Sequence, residues 1–155
     1  MFGRRKKTAA LFERVRALGE PDWSRVQAQL IENERRLGAA NGWFIGEGVD
    51  HPCTVFLSEF GIHIDVRPDT MGSPELISIG MYSVERCGVG TSDIGNLRLV
   101  VIFSSESGTL GVAVDFAPDD RPFAERLAGW GEMASQNRQF QQSIFDEVKQ
   151  PPTEP

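Results

Sequence analysis

Residues 97–116, Leu-Arg-Leu-Val-Val-Ile-Phe-Ser-Ser-Glu-Ser-Gly-Thr-Leu-Gly-Val-Ala-Val-Asp-Phe, constrain the fold more than any other stretch. Leu97, Leu99, Val101 and Phe103 alternate along one arm, and Leu110, Val112, Val114 and Phe116 along a second. Ser105 to Gly108 supply the turn between them, with Gly108 free to take a positive φ. Period-two alternation on both sides of such a turn predicts a β-hairpin. Val100 and Ile102 add apolar character to the other face of the first arm, which predicts a strand that is central or covered on both sides.

A second hairpin is predicted over Thr54–Val66. Val55 and Leu57 precede the turn Ser58-Glu59-Phe60-Gly61, and Ile62, Ile64 and Val66 follow it. His63, Asp65 and Arg67 would then project together from the opposite face, the position of a wet sheet surface. Leu76, Ile77 and Ile79 begin another strand, which Tyr82, Val84 and Cys87 would continue past Gly80. Gly88 to Gly95 reads as a turn-rich connection into the Leu97–Phe116 hairpin. Several strands in succession imply an antiparallel sheet or partial barrel.

Helices are expected at both ends. Leu11, Val15 and Leu18 share a helical face over Thr8–Leu18. A second helix is expected from Pro21-Asp22 to Gly38, with Trp23, Val26, Leu30, Ile31 and Leu37 on its apolar side. Between this helix and the first hairpin lies a glycine-rich loop, Asn41–Pro52. Its compact run Trp43-Phe44-Ile45 is either a short edge strand plugging the core or an exposed patch, so Trp43 and Phe44 are candidate partner-binding residues. After the hairpins, Pro118-Asp119-Asp120 starts a carboxy-terminal helix bearing Phe123, Leu127 and Trp130 at i, i+4 and i+7. Whether residues 118–149 form one helix or two is left open by Gly129 and Gly131. The chain therefore divides into a basic arm with helices (1–40), an α+β domain with its capping helix (41–149), and a disordered tail (150–155).

The order of elements resembles the bacterial pleckstrin-homology-like domains. It comprises Thr54-Val-Phe-Leu-Ser-Glu-Phe-Gly-Ile-His-Ile, then Ile77-Ser-Ile-Gly-Met-Tyr-Ser-Val, then the Leu99–Val114 hairpin, then Phe123-Ala-Glu-Arg-Leu, across about residues 43–133. The resemblance implies an antiparallel bent sheet or partial barrel with a carboxy-terminal capping helix; with the two amino-terminal helices read above, the expected class is α+β. It also implies binding of lipid head groups, peptides or proteins, or assembly, and rarely catalysis. The turn Ser58-Glu59-Phe60-Gly61 is acidic where the family's phosphoinositide binders cluster basic residues, so no lipid-site residue carries over.

Charge narrows the partners. The net charge of −6 hides an asymmetry: residues 1–18 carry six basic side chains and one acidic, and the remainder carries 10 basic and 21 acidic. An acidic body repels nucleic acid, and no nucleic-acid partner is expected. Anion binding would fall to Arg4, Arg5, Lys6 and Lys7, a weak contact with an anionic surface. No apolar run follows this arm as in an export signal, so a cytoplasmic protein is expected.

Chemistry is sparse. His51 and Cys53 share a strand face, but no cation is placed to activate the thiol. Cys53, Cys87, His51 and His63 match no zinc spacing. Gly88-Val-Gly90-Thr-Ser-Asp93 begins like a dinucleotide fingerprint, but it has Asp93 at the third glycine and precedes a strand. The expectation is therefore no metal, no cofactor, no catalytic residue and no enzyme. In its place stands a protein-binding or assembly module with a protein partner or self-association. The alternatives are a peripheral membrane adaptor using the basic arm, or a small-ligand carrier or enzyme with a pocket in the barrel.

Overall fold

The computed structural model describes residues 12–45, 50–67, 75–92 and 95–149, with side chains in the last helix as far as residue 139. Seven strands form one antiparallel sheet: β1 (Arg36–Ile45), β2 (Asp50–Ser58), β3 (Gly61–Val66), β4 (Glu75–Gly80), β5 (Val84–Thr91), β6 (Leu97–Ser105) and β7 (Gly108–Phe116). Their order is β4-β3-β2-β1-β7-β6-β5. The helix α1 (Arg121–Lys149) follows a 3-10 turn at Pro118–Asp120. The α+β class with an antiparallel sheet and a carboxy-terminal helix is as expected, and the helix is continuous.

Both predicted hairpins form. In β6–β7, Leu97 pairs with Phe116 and Ser105 with Gly108, and Gly108 has φ +110°. In β2–β3, Val55 pairs with Ile64 and Ser58 with Gly61. Of the two alternatives for β6, an inner position in the sheet holds, since β6 is paired with β5 on one side and β7 on the other. Its outer face is not covered, and Val100 there is 42% exposed.

The sequence between Ile77 and Cys87 is not one strand. β4 and β5 lie at opposite edges of the sheet and are joined through a short 3-10 turn, Met81–Ser83. Four peptide units reach at most about 14 Å, so the sheet must bend until its edges approach there. The bend makes the partial barrel. Gly88 and Gly90 belong to β5 rather than to a turn.

α1 closes the barrel. Phe123, Ala124, Leu127, Trp130 and Ala134 recur every three or four residues, and all join the core with Val55, Leu57, Ile62, Ile64, Leu99, Val101 and Phe116. Trp130 Nε1 donates to the Glu59 carbonyl at 3.1 Å. Arg138 reaches the carbonyls of Tyr82 and Ser83, at 3.4 and 3.2 Å, and so ties the helix to the β4–β5 crossing.

The amino-terminal expectation fails in one respect. Residues 12–16 are helical, but the second helix does not exist. Its place is taken by two 3-10 turns, Trp23–Arg25 and Gln27–Gln29, and then β1 from Arg36. Asn33 sits at φ +65°, which ends any helical run. The proposed boundary at residues 40 and 41 consequently falls inside a strand. The tail at 150–155 lies outside the described residues. Among the described residues, no helix is long and apolar enough to cross a membrane.

Candidate functional site

Alternation along β2 and β3 sends Cys53, Val55, Leu57, Ile62, Ile64 and Val66 into the core. The opposite face receives Thr54, Phe56, Ser58, His63 and Asp65. These are buried too, with Asp65 3% and His63 5% exposed. The expectation that His63 and Asp65 stand on a wet face is corrected: residues 12–35 cover them. The Trp23 ring meets Phe56 edge-on at 5.1 Å, Val26 is fully buried, and Arg25 Nε is ion-paired with Asp65 Oδ2. Arg67 Nε approaches the same oxygen at 3.3 Å.

The histidine is held between two hydroxyls. Ser58 Oγ lies 3.2 Å from Nε2, and Ser78 Oγ lies 3.0 Å from Nδ1. Ser58 directs its own proton to the Gly61 carbonyl at 3.2 Å. Nε2 must therefore donate to Ser58, and Nδ1 accept from Ser78, which assigns the tautomer. Burial holds the imidazole pKa below its usual value of 6.5, and Glu34 opposes this weakly. Ser78 and His63 have the outline of a nucleophile and its base. The far ring nitrogen faces a hydroxyl rather than a carboxylate, so an imidazolium would gain little stabilisation.

The two thiols are free. Burial raises the Cys53 pKa far out of reach and pushes Cys87 up to about 11. Neither is poised as a thiolate. Among the described residues no three His, Cys, Asp or Glu side chains gather as a metal site.

Trp43 and Phe44 are not an exposed pair. β1 is paired on both sides, Trp43 with Pro52 and Asp115 and Phe44 with His51 and Val114. Trp43 is 4% exposed, with the Arg14 guanidinium 5.0 Å above its ring. Phe44 is half-buried against the core. The candidacy of Trp43 for partner binding is corrected by this burial. Trp43 Nε1 and His51 Nδ1 find no hydrogen-bond partner among the described residues. Arg4, Arg5, Lys6 and Lys7 lie outside the described residues.

Concavities are also present among the described residues. One, of about 400 Å³, lies between the amino-terminal segment and the β7–α1 connection, lined by Val15, Arg16, Asn41, Ala117 and Asp120 among others. Another, of about 660 Å³, lies between α1 and the outer face of β5 and β6. Arg86, Gly88, Val100, Ile102, Ala128 and Glu132 line it. Gly88 there faces open space. Nothing in the residue pattern pointed to this groove, because Gly88 reads as a turn residue and Val100 as a covered one.

No protein-family model matches the chain, and no curated protein matches it. Among solved structures it is similar to the hSac2 domain from human phosphoinositide phosphatase Sac2, at 12% sequence identity and a TM-score of 0.52. The likeness covers 74% of this chain and 77% of that one. At such identity it shows the fold alone. An antiparallel sheet closed by a carboxy-terminal helix fits a pleckstrin-homology-like fold. The expectation that the chain is no enzyme is corrected by this finding. A domain of this fold belongs to a phosphatase, so missing sequence motifs do not place the chain outside enzymes.

Proposed function

We propose that the chain is a protein-binding module that takes an extended partner segment in the groove between α1 and the outer face of β5 and β6. The observation that carries this is that groove, of about 660 Å³. Val100 and Ile102 offer the segment an apolar floor. Arg86 at one wall and Glu132 at another favour a partner carrying both signs of charge around an apolar residue. Unpaired cysteines fit a reducing, cytoplasmic setting. Kinship with the bacterial pleckstrin-homology-like domains in particular is part of this reading and rests on element order.

Selection of random peptides on the immobilised full chain, followed by amide chemical-shift mapping, is the test. The expected result is shifts confined to residues 84–91, 100–102 and 128–136, with binding lost in Val100→Glu. Val100 is exposed, so that change leaves the fold intact. Selected peptides that map elsewhere, or that bind Val100→Glu equally well, would overturn the reading. So would shifts that arise only from a second copy of the chain.

A further inference from the structure

The segment 12–35 covers the outer face of β1 to β3 without belonging to the sheet or its core. It contributes no strand. The core cluster, together with the partly buried side chains packed on it, includes no residue before Leu37. Val15 and Val26 are buried, yet they lie outside that cluster. The sheet and α1 thus complete their own core on the opposite face.

The covered face is also satisfied without its cover. His63 takes both its partners, Ser58 and Ser78, from the strands. Thr54 donates to Asn41 Oδ1 at 2.7 Å, again between strands. Asp65 keeps Arg67 at 3.3 Å if Arg25 leaves. Buried polar groups that lose their partners normally make such a separation costly. Here the strand side chains bonded to the segment, Asn41 Nδ2 to the Gly19 carbonyl at 2.6 Å and Arg36 Nη2 to Gln27 Oε1 at 2.7 Å, make those bonds at exposed positions where water can replace them. The attachment otherwise rests on Trp23 against Phe56, Arg25 on Asp65, and Val26, with the Glu59 amide on the Arg35 carbonyl and Arg35 on Glu59 where the segment enters β1. Arg36 adds a contact 5.2 Å over the Trp23 ring.

We infer that the outer face of β1–β3 is a second peptide-binding surface, occupied in cis by this chain's own Trp23-Ser24-Arg25-Val26. The partner it fits is a segment with an aromatic residue, then arginine two positions on, then an aliphatic residue. Phe56 receives the ring and Asp65 the guanidinium. The segment is a displaceable ligand that such a partner replaces. This inference is independent of the β5 groove, which lies on another part of the sheet.

The test uses the full chain carrying Trp23→Ala and Arg25→Ala, with a labelled peptide of residues 19–35 added in trans. Fluorescence anisotropy should show saturable binding to the double variant. Wild type should bind at least about tenfold more weakly, because cis occupancy leaves only a fraction of the face free. Adding Asp65→Asn to the double variant should abolish the binding. Hydrogen exchange of wild type provides a readout that needs no variant. The Val26 and Gln29 amides, bonded to Trp23 and Val26 carbonyls at 3.1 and 2.9 Å, should exchange through a local opening insensitive to denaturant while β6 and β7 stay protected. A double variant that binds no peptide, binding indifferent to Asp65→Asn, or Val26 and Gln29 exchange only through global unfolding would each overturn the inference.

Discussion

Gly129 and Gly131 lie two residues apart in α1, yet alanine should act on them with opposite effect. A Cβ built at Gly129 meets nothing within 4 Å, whereas one at Gly131 meets Cys87 Sγ at 2.4 Å and Cys87 Cβ at 2.5 Å. Replacing glycine by alanine inside a helix gains about 1 kcal/mol of propensity at either site. At Gly131 that gain meets overpacking against β5, which costs about 1–3 kcal/mol. Propensity cancels in the comparison, so Gly131→Ala should be less stable than Gly129→Ala by about 1–3 kcal/mol. For a chain of this length each kcal/mol moves Tm by about 2–4 °C, so the two melts should separate by roughly 2–12 °C. Urea titration gives the difference directly. Cys87→Gly removes both crowding atoms, and in that background the two alanine variants should agree within about 0.5 kcal/mol. Equal stabilisation by both alanines in the wild-type background would refute the close approach of α1 to β5. A separation that persists without Cys87 would refute its assigned cause.

Two further expectations concern the sheet. Val101 is fully buried and Val100 is 42% exposed on the same strand. Val101→Asp should abolish the cooperative melt, since an unpaired buried charge costs several kcal/mol, whereas Val100→Asp should leave it nearly unchanged; similar melts for both would show that the register is wrong. His63 has its pKa lowered by burial from 6.5, so the folded state binds its proton less readily than the unfolded chain does. Its contribution is present above the unfolded pKa and is lost as pH falls below about 6.5 toward the depressed folded value. Denaturation across that window should show stability falling with acidification in wild type and a flatter profile in His63→Gln; identical slopes would place the titration elsewhere.

Local order was legible in the residues wherever one face of a short segment carried it. The alternation from Leu97 to Phe116, with Gly108 at its turn, specifies β6, β7 and their register within 20 residues. The same holds for Val55 to Val66 and for Phe123, Leu127 and Trp130 on α1. Alternation also put His63 and Asp65 on the face away from the core. It carried no information about what covers that face. Arg25 lies 40 positions from Asp65, and no local pattern records such a meeting. The spacing of Trp23, Val26 and Leu30 imitates a helix, but Trp23 packs on Phe56 of the outer sheet face and Val26 is buried without any α-helix forming there. Ile31 stays 62% exposed. Tertiary structure likewise decided that Ile79 and Val84, five positions apart, belong to strands at opposite edges of one sheet. Side-chain periodicity is a property of a few consecutive residues and is written in them. Which face is covered, which edge is free and where the sheet bends depend on contacts between distant segments, and only the folded chain brings those together.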